Sequence, residues 1–291
     1  LRPIVEAMKR WLLSRPFLQS DDSPFQYLDK SVKGKSLRGY LWAYGIPAGE
    51  VVYQFTTSRS HKHPLGFLEG FSGHLQTDGL DSYNAVCATG RVVRIGCMAH
   101  LRRKFFVAQE AAPERVDEIL RLIRALYDIE EAAQEGGVTG EALLALRREL
   151  APPILKTLRA RIDELEPLTT PKSKLGRAVG YAQRQWETVL RYVDVAECPI
   201  DNNWCENSLR PIVLSRKNCL FLGSEHGGGK RAEVFFSLVQ SARRLGIDPF
   251  AYLTDVIERV STHPASRVWE LTPRGWKEAK EAEKVAPPTV R

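Results

Sequence analysis

The chain has 291 residues, 42 Lys and Arg against 35 Asp and Glu, and a net charge of +7, a basic balance that favours a polyanionic partner. Its 43% hydrophobic content is that of a globular protein able to bury a sizeable core, as one large domain or two smaller ones. No apolar run approaches the ~20 residues of a membrane span, no signal peptide is visible, and five Cys without Cys-x-x-Cys spacing argue against a disulfide scaffold and for a reducing compartment.

Leu1 stands where Met would open a gene product, which reads as a piece of a longer protein lacking its N-terminal part. Ile4, Val5, Met8, Trp11 and Leu12 have helical spacing and predict a helix over 3–14. Strand-like runs follow at Phe17–Ser20, Gly39–Tyr44 and Val51–Thr56, with Lys33-Gly34-Lys35 as a polar hairpin loop. A short helix is expected over His63–Phe71, a strand at Leu75–Thr77, a short helix over Ser82–Ala88 and a strand at Val92–Cys97.

From Ala99 to about Val193 the pattern turns helical. One apolar stripe holds Val116, Ile119, Leu120, Ile123, Leu126 and Tyr127. A second, started after Pro152-Pro153, holds Ile154, Leu155, Leu158, Ile162 and Leu165; a third holds Leu175, Ala178, Ala182, Trp186, Val189 and Leu190. Val213–Leu222 reads as strand-like or irregular. Next comes a helix expected to bury Val234, Phe235, Leu238, Val239 and Ala242, stopped at Gly246. Asp248-Pro249 then caps a helix with the face Leu253, Val256, Ile257 and Val260. The Lys-, Glu- and Ala-rich end from about Trp276 reads as frayed or disordered.

Three strands, a helix, a strand, a short helix and a strand is the element order of a ribonuclease H-like core. Asp21 closes the first predicted strand, Asp78 the fourth, and Glu206 opens a helix after Asp201-Asn202-Asn203. Such a carboxylate triad could hold two divalent cations and cut or rejoin phosphodiesters by in-line displacement. The same residues also read as turns and caps: Asp21-Asp22-Ser23-Pro24 and Asp78-Gly79 are ordinary turn sequences, and Glu206 in a first turn suits the helix dipole. Arg210, Arg216, Lys217, Lys230 and Arg231 surround Gly227-Gly228-Gly229, whose exposed backbone N–H groups would suit phosphate; a solvated loop is the alternative. Arg102-Arg103-Lys104-Phe105-Phe106 is either a basic DNA-facing helix face or a surface beside a buried Phe pair. Cys97 and His100 fall short of the four ligands of a zinc site.

Taken in order, Asp21-Asp22-Ser23-Pro24, Gly39-Tyr40-Leu41-Trp42, Ser58-Arg59-Ser60, Gln76-Thr77-Asp78-Gly79 and the run Gly96–Phe105 resemble the bacterial insertion sequence 66 family transposases. Asp201–Glu206, Arg216-Lys217-Asn218, Gly223-Ser224 and Asp248–Leu253 carry the resemblance on to about Trp276. The chain departs from the family pattern at Asp22, Ser23, Met98, Trp204 and Cys205, none of them a triad carboxylate.

The resemblance implies a DD-E transposase that frees a 3′-hydroxyl at the element end and joins it to target DNA. It implies a ribonuclease H-like mixed sheet over 1–98 and 196–245, a large all-helical insertion over 99–195, a helical C-terminal extension over 246–275 and a tail over 276–291. It implies Asp21, Asp78 and Glu206 as ligands of two Mg²⁺ or Mn²⁺. Apart from the resemblance, the basic stretches make Arg102, Arg103, Arg210, Arg216, Lys217, Lys230 and Arg231 the candidate DNA contacts. The expected partners are double-stranded DNA and further copies of the chain on it, in a bacterial, nucleoid-associated cytoplasmic setting. A ribonuclease H-like nuclease without strand transfer and an inactive DNA-binding fragment remain the rivals.

Overall fold

The computed structural model describes residues 1–29, 32 and 35–285. Lys33 and Gly34 of the expected hairpin loop, and residues 286–291 of the expected tail, lie outside the described residues. The chain is α/β, with a five-stranded sheet in the order β3-β2-β1-β4-β5. The strands are β1 (Phe17–Leu28), β2 (Ser36–Gly45), β3 (Val51–Thr56), β4 (Gly73–Gln76) and β5 (Val92–Ile95). β1 with β2, and β2 with β3, pair antiparallel. β4 and β5 run parallel, since Gly73 N donates to Arg91 O and Thr77 N to Ile95 O, both partners advancing together. The sheet is therefore mixed.

The chain divides into two compact units. The first comprises Leu1–Gly73, Ser82–Val92 and Trp204–Arg291. It opens with α1 (Arg2–Leu13), which buries Ile4, Val5, Met8 and Leu12 as their spacing predicts. β1 runs eight residues past the expected end, through Asp21-Asp22-Ser23-Pro24. Proline is tolerated there because of where its backbone faces. The Pro24 carbonyl accepts from Arg216 Nη1 at 2.8 Å, and Gln26 O and Leu28 N bond to Leu222 N and Gly223 O. Even-numbered backbone groups of this stretch thus point away from β2, so the missing N–H removes no bond of the β1–β2 ladder.

α8 (Asn203–Asn218) covers one face of these strands. Cys205, Leu209 and Ile212 recur at helical spacing and pack on Phe25, Tyr27, Leu41, Ala43, Val51, Tyr53 and Phe55, all odd-numbered and so on one face. The helix takes in Val213–Asn218, which the sequence reads as strand-like; Ile212 continues the buried stripe past Pro211, whose i−4 residue Asn207 is exposed to water.

α9 (Lys230–Arg244) closes the outer edge of β3 by an uncommon device. Glu233, Ser237 and Ser241 are spaced by four and lie in one row. Their side chains accept from Phe55 N (2.6 Å), Tyr53 N (2.9 Å) and Val51 N (2.9 Å), the alternate amides of the strand. The edge is thereby satisfied without another strand. Phe235, expected in the core, is exposed; the adjacent Phe236 packs inward against Tyr53 instead. α10 (Pro249–Arg259) starts at the expected cap, Asp248 accepting from Phe250 N and Ala251 N, but leaves Ile257 exposed. The C-terminal stretch is helical where the sequence suggests fraying. α11 (Pro273–Val285) is anchored by Trp276, which stacks edge-on to Tyr252 and donates to Asp255, and by Lys277 on Leu245 O. The first unit also holds α2 (Lys62–Phe67) and α3 (Asn84–Cys87).

The second unit, His74–Asp81 with Val93–Asn203, is mainly helical. It contains α4 (Met98–Ala108), α5 (Pro113–Glu135), α6 (Gly140–Leu165) and α7 (Lys174–Leu190). The three predicted stripes supply its core, with Val116, Ile119, Ile123, Leu126, Leu158, Ile162, Ala178 and Ala182 buried. α6 does not begin after Pro152-Pro153 but runs through them. The carbonyls that lose their donors, at Arg148 and Glu149, belong to exposed residues and are open to water. Gly136-Gly137 breaks the chain between α5 and α6, Gly137 taking φ +63°.

Candidate active site

Asp21 and Asp22 are neighbours in mid-strand, not at a strand end. The two-residue period of a strand sends their side chains to opposite faces. Asp22 is opposite Trp42, on the face with Ser20 and Tyr83. Its carboxylate, with a side chain 3% exposed, accepts from Arg59 Nε at 2.9 Å, and Arg59 lies over the Tyr40 ring. Asp21 is opposite Ala43, on the face covered by α8.

Glu206 stands in the first turn of α8, next to Cys205. The Cys205 sulfur lies 3.6 Å from Ala43 O, the register partner of Asp21. Burial pushes this thiol well above its usual range, and the negative charges of Asp21 and then Glu206 push it further, against Arg244. Cys205 therefore stays protonated. Arg244 on α9 buttresses the same turn. Its guanidinium stacks on the Trp204 ring at 3.5 Å and donates to Ser208 Oγ at 2.9 Å, and burial holds its pKa down. Trp204, where the family pattern has a small residue, fits because Gly45 has no Cβ to meet its ring. The sequence signal for Arg244 is absent: it is one of a pair of arginines at a helix end.

Asp78 belongs to the second unit, just beyond β4. Its backbone is fixed by Arg94, a buried residue that donates to the Asp78 and Leu80 carbonyls and to Thr77 Oγ1. Its Oδ1 accepts from Leu80 N at 3.0 Å, closing the turn. Its charge also raises the pKa of Tyr181, after burial. Two residues earlier, Gln76 Nε2 donates to Pro199 O at 2.7 Å. The segment leading into α8 is pinned within this unit at four more points. Met98 N bonds Ile200 O, Asn202 N bonds the Cys97 sulfur, Tyr127 donates to Asp201 Oδ2, and Asp201 Oδ1 accepts from Asn203 N. Asp201 thus closes an Asx turn at the start of α8.

The basic residues divide. Lys230 is spent on Glu233 and Phe55 O, and Arg216 on Pro24 O; Arg210, Lys217 and Arg231 are exposed. Arg102 and Arg103 are exposed on α4. The glycine run is not an open phosphate nest. It forms a π-turn over Glu225–Gly229 in which Gly227 N, Gly228 N and Gly229 N already bond Ser224. A Cβ at Gly228 would overlap Leu222 O, and one at Gly229 would strike the Phe55 ring, so close packing explains these glycines.

Comparison with known proteins agrees with the sequence resemblance. The family profile described as "Transposase IS66 family" matches residues 1–230, and "IS66 C-terminal element" matches residues 237–274. Uncharacterized protein y4jD of Sinorhizobium fredii is 30% identical over 95% of this chain and 57% of its own length. Uncharacterized protein y4hP of the same organism is 28% identical over 97% of this chain and 54% of its own length. The chain spans about half the length of these curated relatives. Among the described residues no helix is long and apolar enough to cross a membrane. By a profile match covering most of its length, the chain belongs to the Transposase IS66 family.

Proposed function

We propose that the chain is the catalytic core of a metal-dependent DNA transposase of ribonuclease H-like architecture. In this reading Asp21, Asp78 and Glu206 are the carboxylates that hold two Mg²⁺ or Mn²⁺. The observation that supports it is the position of Asp21 on the strand face covered by α8, the helix whose first turn bears Glu206, while the adjacent Asp22 is turned away to Arg59. The donor set fits a hard cation: carboxylate oxygens are the anionic ligands, and the nearby thiol is kept protonated by burial. Two such cations, when bound, activate the attacking oxygen and stabilise the leaving one.

The protein's own share is positioning. β1 fixes Asp21 by its ladder with β2, the Arg94 clamp fixes Asp78, and the Arg244–Trp204 stack steadies the turn that bears Glu206. The activity proposed is 3′-end cleavage followed by strand transfer on double-stranded DNA, by several copies of the chain. Residues 99–195 serve as a helical insertion in that core.

The test pairs chemistry with metal binding. Labelled element-end duplexes, a target plasmid and Mg²⁺ are incubated with wild type and with D21N, D78N and E206Q. Each variant is expected to lose about a thousandfold or more in joined product, as the loss of several kcal/mol of charge stabilisation requires. Calorimetric Mn²⁺ affinity should fall in parallel. Cleavage without joined product would instead assign a nuclease, and an E206Q variant that joins at the wild-type rate would remove Glu206 from the site.

A further inference from the structure

α4 and α5 of the second unit flank an open cavity of about 470 Å³, outside the carboxylate set. Ala99, Arg102, Arg103 and Phe106 line it from α4, Arg124 and Tyr127 from α5, and Asn203 closes its foot. Among the described residues the lining holds three guanidinium groups and no carboxylate. Asp128 and Glu131 hold Arg124, and Asp201 accepts from Tyr127 and Asn203. Burial and the Asp201 charge raise the Tyr127 pKa, so the phenol remains a protonated donor turned to Asp201.

Phe106 is the feature that core packing does not explain. Its neighbour Phe105 is fully buried, whereas Phe106 is 56% exposed at the cavity, 5.9 Å from the Arg102 guanidinium. An aromatic face beside exposed planar cations suits a ligand that is both anionic and aromatic. Guanidinium groups bind phosphate in a fixed fork, and an aromatic ring accepts any base on its π-face. The volume suits a single small ligand.

We propose that this cavity seats one unpaired nucleotide of a DNA strand, its phosphate against Arg102 and Arg103 and its base stacked on Phe106. The proposal rests on the transposase reading only in taking DNA as the ligand. A base inside a duplex has both faces covered by its stacked neighbours and cannot also stack on Phe106, so the site distinguishes a splayed or single-stranded nucleotide from duplex interior.

The experiment uses duplexes with a 2-aminopurine either in a short single-stranded overhang or fully paired, read by anisotropy and by fluorescence. Wild type should favour the overhang by roughly tenfold, the worth of one stacked base, with quenching of the 2-aminopurine. F106A should lose the preference and the quenching while still binding. R102Q/R103Q should weaken binding to both duplexes and shallow the salt dependence by one to two phosphates, roughly 0.9 per contact. Phe106 is surface-exposed, so circular dichroism should show F106A folded as wild type. An F106A protein that keeps both preference and quenching overturns the proposal. Strand joining by the same preparations reports separately on the transposase reading: wild type that joins ends but binds both duplexes equally refutes the nucleotide site alone.

Discussion

Replacing Arg147 with Met should destabilise the second unit by about 5 kcal/mol, and the figure can be built from its contacts. Arg147 is 1% exposed. Its Nε and Nη2 donate to the two Glu130 oxygens at 2.8 and 2.6 Å, a bidentate pair. Nη1 donates to Tyr192 O and Val195 O, and Nη2 to Cys198 O, at 2.9–3.0 Å. Removing one partner of such a buried pair costs about 3–5 kcal/mol, because the remaining charge is left uncompensated. The three carbonyls also lose a charged donor, which places the loss at the upper end of that range, about 5 kcal/mol. Against a typical domain stability of about 5–15 kcal/mol, the unit would stand near its unfolding limit. Guanidinium melts followed by circular dichroism measure the loss. The double variant E130M/R147M should recover about 2–3 kcal/mol by removing the stranded carboxylate. A single variant losing less than about 1.5 kcal/mol, or a double no better than the single, would refute the charge-stranding argument. The consequence reaches the proposed site, because the Tyr192–Cys198 turn held by Arg147 runs directly into the pinned segment before Glu206.

The side-chain ladder on β3 is testable in the same way: S237A/S241A strips acceptors from the buried Tyr53 and Val51 amides and should cost about 2–4 kcal/mol, with faster hydrogen exchange at those two positions. The third rung is pH-sensitive. Burial holds the Glu233 carboxyl above its ordinary range, against Lys230 and the Phe55 amide. Its proton is bound more tightly in the folded state, so that contribution is complete below the unfolded carboxyl pKa of 4.5 and is lost as pH rises through the raised folded value. The stability of E233Q relative to wild type should therefore rise with pH from about 4 upward; denaturant melts across that range would show a falling difference if the sign is wrong. Cysteine reactivity should follow burial. Cys219 is exposed, whereas burial raises the thiols of Cys198 and Cys205, so mass spectrometry after brief iodoacetamide treatment should find Cys219 modified and those two intact until the protein is unfolded.

Element order and the bundle stripes are legible in the sequence because they rest on local periodicity. Val116, Ile119 and Ile123 announce a buried helix face wherever the helix ends up packing. The misread stretches share a different cause. Pro24, Pro152-Pro153 and Pro211 each look like stops, yet each lies inside a continuous element. The N–H that proline lacks matters only if a partner was waiting for it, and that is settled by which way the backbone faces and by what is exposed four residues earlier. Neither is local information. Phe235 and Phe236 present the same difficulty: both suit a core, and only the position of Tyr53 decides which of them enters it.

The extension of β1 past Ser20 separates two neighbouring acids. If the strand ended at Ser20, Asp21 and Asp22 would be two interchangeable turn acids, and nothing but resemblance would select one. In an extended strand the pleat separates them. Phe25 and Tyr27 face α8, so Asp21 faces α8, and Asp22 faces Arg59 and Tyr40. The same parity places Ala43, the register partner of Asp21, against the Cys205 sulfur in the first turn of α8. Strand register thus supports proposing Asp21 rather than its neighbour, on grounds separate from the family pattern. It makes an asymmetric demand on experiment. D21N should abolish metal-dependent chemistry with little change in stability. D22N should release Arg59, cost about 1–3 kcal/mol from a buried charged hydrogen bond, and spare the metal affinity.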